Sequence, residues 1–243
     1  MIFNKLIKSE TDVLQLVIDS IESQNGISLT YLNQHCFNIY HNNPNYKNLI
    51  DNVFTVFLDG FGVYSALKFL SYKNAQKFNA TDLYKKIFQY FAINNTKIFL
   101  IGGHFSEDLI SRKANENKLI ISGYHNGYFK EDDLTGILER IEKLSPEVIV
   151  LGIGVPKQEI FAAKIASSIQ NKTILCVGGF LEFYFGTKKR APKMLRLVGM
   201  EWLHRLITEP GRLWKRYLIG IPAFLFQIVK LKLSTEGNKY QKK

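Results

Sequence analysis

Six short runs of apolar, β-branched or aromatic residues are spaced along the chain. They lie at residues 27–32, 53–58, 97–101, 119–122, 148–151 and 173–177. Most of the stretches between them carry apolar residues at helical spacing. Apolar strands that alternate with helices are typical of a parallel sheet covered on both faces. The pattern therefore predicts an α/β fold, with a Rossmann-like, mostly parallel sheet and helices on both faces.

Five of these runs end in a turn that contains glycine, such as DGFG at 59–62 and GIGVP at 152–156. In open α/β sheets, ligands bind at the carboxyl ends of the strands, where glycine lets backbone N–H groups approach a phosphate. A single glycine there simply makes a tight turn, but the set indicates a phosphate or nucleotide ligand. The chain has neither GxGxxG after the first strand nor GxxxxGK[ST], which argues against an ordinary dinucleotide fold and a P-loop NTPase.

A basic and aromatic segment follows. Residues 186–243 carry 14 Lys and Arg against three Glu, whereas residues 1–185 carry 18 basic and 18 acidic side chains, so this segment holds the whole net charge of +11. Apolar residues recur among the cations at near-helical spacing. Such a segment fits either a basic amphipathic helix on an anionic membrane or a helix pair packed on its own domain. Its apolar run, 217–229, is shorter than the ~20 residues that span a bilayer, so we expect it to lie on a membrane.

Asp59 is the most distinctive candidate for chemistry, because it stands where a predicted strand meets Gly60, Gly62 and a helix. A carboxylate at this junction points into the ligand crevice, where it can accept a proton from a hydroxyl. The same position is also common for an Asp that caps a helix. Gln158 begins another predicted helix, where it either hydrogen-bonds a ligand or is an exposed first-turn residue.

The sequence carries no signature of a metal or cofactor site. Its five histidines show no HxxxH or HExxH spacing, no DxD pair occurs, and the two cysteines stand far apart. A nucleophile elbow is also missing. We therefore expect a reaction that needs neither a metal nor a bound cofactor, and two reduced, buried cysteines.

Seven sequence segments occur together in a fixed order. They are LDGFGV at 58–63, IFLIGG at 98–103, GYHNGYF at 123–129, LGIGVPKQE at 151–159, GTKKRAPK at 186–193, GMEWLHRL at 199–206 and EPGRL at 209–213. From about residue 28 to about residue 226 the chain thus resembles the WecG/TagA/CpsF family of bacterial glycosyltransferases. The family includes the N-acetylmannosaminyltransferase of wall teichoic acid linkage-unit synthesis. The resemblance implies an inverting enzyme that moves a sugar from a UDP-sugar to a hydroxyl of an undecaprenyl-diphosphate-linked saccharide.

The resemblance also implies roles for particular residues. Asp59 matches the proposed catalytic base. The residues expected to contact the donor nucleotide or its sugar are Tyr31, Asn33, Lys77, Gly102, Gly103, Tyr128, Gly154 and Gln158. Arg205, Arg212 and Lys215 match basic positions of a C-terminal appendage thought to close over the active site and bind diphosphates. On this basis, residues 1–185 form the catalytic domain, and residues 186–243 form a basic amphipathic appendage for membrane association and closure.

Two positions depart from the family pattern. The early Thr-x-Asn pattern here reads Tyr31-Leu32-Asn33, with Thr30 one position too early. Lys77 stands where relatives usually have Arg, which keeps the charge but loses bidentate geometry. Both changes indicate a different donor sugar or binding geometry.

The alternative from another class is a nucleotide-binding module whose basic, aromatic tail binds nucleic acid, although no nucleic-acid-binding motif is present. The N-terminus lacks the apolar run and cleavage site of a secretory signal. We therefore expect the protein to stay in the cytoplasm, and the resemblance implies that it works at the inner face of the cytoplasmic membrane, with which it would associate peripherally. Its expected partners are the UDP-sugar, the polyprenyl-diphosphate acceptor and anionic lipid, without nucleic acid, and a homo-oligomer is compatible with the sequence.

Overall fold

The computed structural model describes residues 2–130 and 133–240, with the side chains of the last helix described through Ser234. Six strands form its central sheet. They are β1 Ser28–Leu32, β2 Thr55–Leu58, β3 Lys97–Gly102, β4 Ile120–His125, β5 Val148–Gly152 and β6 Thr173–Cys176. Each strand overlaps one of the six predicted apolar runs, so this prediction is confirmed.

All strands are parallel, and they hydrogen-bond in the order β2-β1-β6-β5-β3-β4. β1 pairs with β2 in register up to Leu32 and Leu58, so the two strands end at the same level. Asn33 and Asp59 therefore leave the sheet side by side at its carboxyl edge. The backbone N–H of Asp59 donates to the carbonyl of Leu32 at 3.0 Å, which fixes this proximity.

Helices connect the strands and extend beyond the sheet. They are α1 Ile2–Lys5, α2 Glu10–Glu22, α3 Gln34–Asn42, α4 Pro44–Val53, α5 Gly60–Phe69, α6 Ala80–Ile93, α7 Glu107–Asn117, α8 Leu134–Leu144, α9 Lys157–Ser168, α10 Phe180–Tyr184, α11 Lys193–Leu197, α12 Glu201–Thr208, α13 Pro210–Trp214 and α14 Gly220–Tyr240. A π-helical turn, Lys215–Ile219, joins α13 to α14.

Three helices begin after an Asn whose side-chain oxygen accepts backbone hydrogen bonds, which is the usual role of Asn at this position. These residues are Asn33 before α3, Asn43 before α4 and Asn79 before α6.

Two apolar cores cover the two faces of the sheet. Ile98 and Leu100 of β3 belong to one core, and Phe99 and Ile101 belong to the other, because successive side chains of a strand point to opposite faces. The first core continues into α2, α3, α5 and α6, and the second is covered by α8 and α9. Both cysteines are buried and free, as predicted. The α/β fold with a parallel sheet between helices is confirmed.

The C-terminal helix α14 packs on the sheet domain. Phe224 and Ile228, one turn apart, are buried in the first core. The ring of Phe224 meets Phe37 of α3 edge to face, with 5.3 Å between centroids. The side chains of Leu225 and Phe226 are exposed. The helix therefore packs on its own domain and also presents apolar surface to solvent, so it has features of both alternatives that the sequence left open.

Helical structure continues from Pro210 to Ser234, and this stretch of 25 residues is long and apolar enough to cross a membrane by length and composition. This helical stretch extends beyond the predicted apolar run, 217–229, at both ends, and Gly220 and Pro222 within it do not break the helix. Pro222 lies in the first turn of α14, where a missing N–H costs little. The division of the chain at residues 185 and 186 stays a prediction.

Candidate active site

A cavity of about 900 Å³ opens at the carboxyl edge of β1 and β2, against helices of the C-terminal segment. Its charged and polar lining includes Asn33, Asp59, Lys77, Asp82, Lys193, Arg196, Glu201, Arg205 and Arg216. Its apolar lining includes Phe61, Ala66, Phe69, Ile221, Leu225, Ile228 and Val229. The cavity therefore has a charged end and an apolar wall. Its lining comes from residues 1–185 and from residues 186–243.

Asp59 lies in the wall of this cavity. It occupies the N-cap position of α5, but its carboxylate makes no capping hydrogen bond, so the capping alternative is wrong. Instead, Oδ1 accepts from the backbone N–H of Ala80 at 2.8 Å, and Oδ2 accepts from Nδ2 of Asn33 at 3.3 Å. Burial raises the pKa of the Asp59 carboxyl, and these hydrogen bonds and the charge of Arg205 oppose that rise. A carboxylate whose pKa is raised is a stronger base.

The local sequence explains how Asp59 is held. Oδ1 of Asn33 caps α3 by accepting from the N–H groups of His35 and Cys36 at 3.0 and 3.1 Å. Nδ2 of Asn33 is therefore turned toward Asp59. Gly60 adopts a φ of +81°, a backbone conformation that favours glycine, and this residue turns the chain from β2 into α5.

Two of the predicted cations lie in the cavity wall, each with a partner inside the protein. Nζ of Lys77 donates to the carbonyl of Leu197 at 2.8 Å. Nη2 of Arg205 pairs with Glu201 at 2.8 Å, and its guanidinium lies over the ring of Phe183. Lys77 thus joins the loop before α6 to the C-terminal segment. Arg205 joins the C-terminal segment to α10, which contains Phe183.

The other two predicted cations of the appendage do not line the cavity. Arg212 is exposed and pairs with Glu209 at 2.6 Å. Lys215 is exposed and lies over the ring of Trp214, with 5.4 Å between its Nζ and the ring centroid. The next residue, Arg216, lines the cavity instead. Arg216 was not among the site residues predicted from the sequence. The one feature that could have indicated it is its position between Lys215 and the apolar run 217–229.

Tyr31 and Gln158 lie in a buried polar cluster where β1, β5 and β6 end, and neither lines the cavity. Nε2 of Gln158 donates to Oε1 of Glu159 at 2.8 Å, and its Oε1 accepts from the N–H of Gly178 at 3.0 Å. Thr30 donates to the same Glu159 oxygen at 2.8 Å. The interpretation of Gln158 as an exposed first-turn residue is therefore wrong, since both polar ends of its side chain bind within the protein.

Tyr31 fills the space that a side chain at Gly178 would need. A Cβ built on Gly178 would lie 2.2 Å from the hydroxyl oxygen of Tyr31. Burial raises the pKa of this hydroxyl well above its ordinary value, so Tyr31 is a neutral, buried group at the end of β1. Where the family pattern has Thr, this chain thus has a large side chain that packs against Gly178, after β6, and against the ring of Phe57.

The remaining predicted donor residues lie at the end of β3 or shortly after β3, β4 and β5, outside the cavity that holds Asp59. Gly103 and Gly154 have φ angles of +63° and +86°, which favour glycine. A Cβ on Gly102 would lie 2.7 Å from the carbonyl oxygen of Gly152, so glycine allows the ends of β3 and β5 to approach. The side chain of Tyr128 is exposed. These residues share the carboxyl edge of the sheet with Asp59 without being gathered around it.

The arrangement around Asp59 can take a proton from a hydroxyl and hold an anionic group nearby. Within the described parts of the chain, no three His, Cys, Asp or Glu side chains are grouped so as to hold a metal ion. The apolar wall beside the charged end further suits a ligand that has both an anionic and an apolar part.

Comparisons with known proteins point to one family. A model of the glycosyl transferase WecG/TagA/CpsF family matches residues 3–238. An N-acetylglucosaminyldiphosphoundecaprenol N-acetyl-beta-D-mannosaminyltransferase of Staphylococcus aureus (strain MRSA252) is 30% identical over 215 residues, which cover 87% of this chain and 83% of that protein. A protein with the same name from strain NCTC 8325 / PS 47 is 29% identical over the same shares. The chain therefore belongs to the WecG/TagA/CpsF family of glycosyltransferases, as its motifs had indicated.

Proposed function

We propose that this glycosyltransferase moves a hexose related to N-acetylmannosamine from a UDP-sugar to a hydroxyl of an undecaprenyl-diphosphate-linked saccharide, with inversion and without a metal. The observation that carries the proposal is the carboxylate of Asp59, held in the wall of a cavity that joins cations to apolar side chains. The names of the relatives support it, because they describe an acceptor with a diphosphate and a long apolar chain.

In this mechanism Asp59 accepts the proton of the acceptor hydroxyl while the hydroxyl oxygen attacks the anomeric carbon. The bond from that carbon to UDP breaks on the opposite face, and UDP leaves with the bonding electrons. One displacement of this kind inverts the anomeric centre. Cations at the cavity stabilise the charge that develops on the leaving group, and the Ala80 N–H and Asn33 keep the carboxylate in place.

We infer that the protein associates with the membrane peripherally. One face of α14 is buried in the core of the sheet domain through Phe224 and Ile228. A helix that crossed a bilayer would have to leave that core or carry α3 into hydrocarbon, where the polar side chains of α3 would lose water. The exposed apolar side chains of the same helix, such as Phe226, can instead enter the interfacial layer.

The decisive experiment measures UDP release from a panel of UDP-sugars, with and without a short-chain polyprenyl-diphosphate-GlcNAc acceptor, in buffer with EDTA. Asp59→Asn is expected to lower transfer about 10²- to 10⁴-fold while UDP binding is kept. Asp108→Asn, which removes an exposed carboxylate of α7, is the matched control. Because burial raises the pKa of Asp59, the activity of the parent should fall on the acid side at a pH above the ordinary Asp pKa.

Acceptor-dependent release from one donor, lost in Asp59→Asn and kept in Asp108→Asn, supports the proposal. Equal activity of Asp59→Asn and the parent would remove Asp59 as the base. Activity that disappears in EDTA and returns with a divalent cation would instead show that the transfer depends on a metal.

A further inference from the structure

Glu201 lines the cavity with one carboxylate oxygen open to a ligand. Within the described parts of the chain, three carboxylates line this cavity, those of Asp59, Asp82 and Glu201. Both oxygens of Asp59 and both oxygens of Asp82 accept hydrogen bonds from the protein. Oε1 of Glu201 accepts from Nη2 of Arg205 at 2.8 Å, whereas Oε2 has no hydrogen-bond partner among the described residues and is not buried. Oε2 can therefore accept a hydrogen bond from a ligand.

Arg205 keeps this carboxylate in place. The two residues lie one turn apart on α12, and the guanidinium also stacks over the ring of Phe183, 5.0 Å from its centroid. The side chain of Glu201 is 23% exposed. Because the carboxylate is oriented before a ligand arrives, a hydrogen bond to Oε2 costs little side-chain entropy.

Glu201 and Asp59 lie close enough for their charges to interact. Burial raises the pKa of Asp59, its hydrogen bonds and the charge of Arg205 oppose that rise, and the charge of Glu201 adds to it. A carboxylate oxygen repels an ionised phosphate, whereas it accepts a hydrogen bond from a neutral hydroxyl. The part of a ligand that contacts both carboxylates is therefore neutral and carries hydroxyl groups, as a sugar does.

Trp202, the next residue of α12, adds an aromatic side chain to the cavity lining. Its ring packs against Tyr217, with 5.9 Å between centroids. A sugar ring has C–H groups on its faces and hydroxyls at its edge, so it suits an aromatic side chain next to a hydrogen-bond acceptor. The start of α12 thus supplies both kinds of group.

The surroundings favour the acceptor sugar over the donor sugar. The glycines expected to contact the donor lie outside this cavity. Ile221 and Leu225 of the apolar wall line the same cavity as Glu201, and in the proposed function only the acceptor carries an apolar chain. The sugar whose hydroxyl reaches Asp59 is also that of the acceptor.

We propose that Glu201 orients the acceptor sugar: its Oε2 accepts a hydrogen bond from one sugar hydroxyl while a second hydroxyl, the nucleophile, lies at Asp59. The inference rests on the proposed function, because it takes the acceptor of that reaction as the ligand. Arg205 holds the other oxygen of Glu201 and thereby fixes the direction in which Oε2 accepts.

Binding measured without sugar transfer tests this role. A short-chain polyprenyl-diphosphate-GlcNAc acceptor is titrated into the parent and into Glu201→Gln by calorimetry, with UDP present and no UDP-sugar. The Gln side chain keeps an oxygen for Arg205 and places an NH₂ group, a donor, where Oε2 was. The Kd for the acceptor should rise about ten-fold or more in Glu201→Gln. The same polyprenyl diphosphate without the sugar should bind Glu201→Gln no more weakly than the parent.

Glu182→Gln is the matched control. The side chain of Glu182 is 29% exposed, it pairs with Lys188 at 2.9 Å, and it does not line the cavity. This variant also loses one carboxylate that is paired with a cation, and it should keep the affinity of the parent for both ligands.

A panel of acceptors, each lacking a different hydroxyl of GlcNAc, identifies the group that Glu201 contacts. The acceptor without that hydroxyl should bind the parent about ten-fold more weakly than the complete acceptor. It should bind Glu201→Gln as well as the complete acceptor does, because the two changes remove the same hydrogen bond.

Several results would overturn the proposal. They are no saturable binding of the acceptor to the parent, equal acceptor affinity in Glu201→Gln, or an equal loss for the ligand without the sugar, which would show that Glu201 acts only by holding Arg205. The proposal also fails if every member of the panel loses as much affinity in Glu201→Gln as in the parent. A loss of UDP-sugar affinity in place of acceptor affinity would assign Glu201 to the donor.

Kinetics separate this proposal from the proposed function. In Glu201→Gln, KM for the acceptor should rise while KM for the UDP-sugar stays close to that of the parent. An unchanged acceptor KM overturns the role of Glu201 and leaves the transferase intact. If the parent transfers no sugar from any donor, the proposed function fails, and the titration still decides whether Glu201 binds a sugar hydroxyl.

Discussion

Glu159 places a carboxyl group in the interior with one of its oxygens unpaired. Oε1 accepts from Thr30 and Gln158, whereas Oε2 is buried without a partner among the described residues. Burial raises the pKa of this carboxyl. In the unfolded chain the group ionises at its ordinary pKa, so between the two pKa values the folded state holds more protons than the unfolded state. Stability therefore falls as pH rises through that window, and the loss is complete above the folded-state pKa.

Glu159→Gln removes this charge and keeps the shape and the accepting oxygen. We expect the variant to be more stable than the parent at pH 8, with a higher Tm, and to differ little from the parent at pH 4. Thermal unfolding at the two pH values measures this. Glu139→Gln, at an exposed position of α8, is the control and should change little at either pH. A gain of equal size at pH 4 and pH 8 would show that ionisation of Glu159 is not the cause.

Individual residues were predictable from sequence only where local signals determine their setting. Asp59 stood out because a carboxylate between a strand and a glycine turn must lie at the carboxyl edge of the sheet. The burial of Gln158 follows from its bonds to Gly178 and Glu159, contacts that join distant segments and leave no local pattern. Arg216 lines the cavity and Lys215 does not, and both lie in a π-helical turn, which propensities do not reveal.

At the scale of elements, an ion pair joins the C-terminal segment to the start of α6, next to the residue that holds Asp59. The guanidinium of Arg190, mostly buried, binds both carboxylate oxygens of Asp82 and Oδ1 of Asn79 at the start of α6. Burial opposes ionisation of Asp82, but these hydrogen bonds outweigh it and hold its pKa at about 2. The next residue after Asn79 is Ala80, whose N–H binds Asp59. These hydrogen bonds thus join the segment before α11 to the loop that holds the proposed base.

Arg190→Met is expected to release that segment. Since Asp82 is substantially exposed, we estimate a loss of about 1–2 kcal/mol in local docking, with faster tryptic cleavage between residues 186 and 200 and a lower transfer rate. Lys86→Met provides the control, because it removes the cation of an ion pair on the same helix, with Glu10 at 2.6 Å, and should leave both readouts near the parent. Unchanged cleavage in Arg190→Met would show that the segment is held by other contacts.

The strands were the easiest elements to predict because most of them are buried on both faces, which leaves uninterrupted apolar runs. β4, at the edge of the sheet, is only partly buried. Helices of the C-terminal segment were harder to place. Their apolar residues serve two surfaces, one against the core and one toward solvent, so hydrophobic spacing alone did not distinguish packing from membrane contact. The position of Phe37 on α3, far away in sequence, decides which side of α14 is buried.

For the whole molecule, the exposed apolar side chains concentrate in the C-terminal segment, together with the net positive charge. The exposed apolar residues of this segment include Met194, Leu197, Val198, Ile207, Leu218, Ile219, Phe226 and Leu233. Apolar area and cations in one segment favour its adsorption to an anionic bilayer. The entrance of the cavity would then lie close to the lipid that carries the acceptor.

Phe224 and Phe226 separate docking of α14 from membrane adsorption, since they are two residues apart and 2% and 72% exposed. Phe224→Ala should cost about 3–5 kcal/mol, lower the Tm and reduce transfer even to a short, soluble acceptor, because α14 forms one wall of the cavity. Phe226→Ala should keep the Tm and that activity but bind phosphatidylglycerol vesicles more weakly in sedimentation. Binding of both variants should fall as salt rises, since cations contribute to it. If Phe226→Ala binds vesicles like the parent while Phe224→Ala binds none, the membrane-facing surface includes the side that packs on α3, and α14 must leave the domain to reach the bilayer.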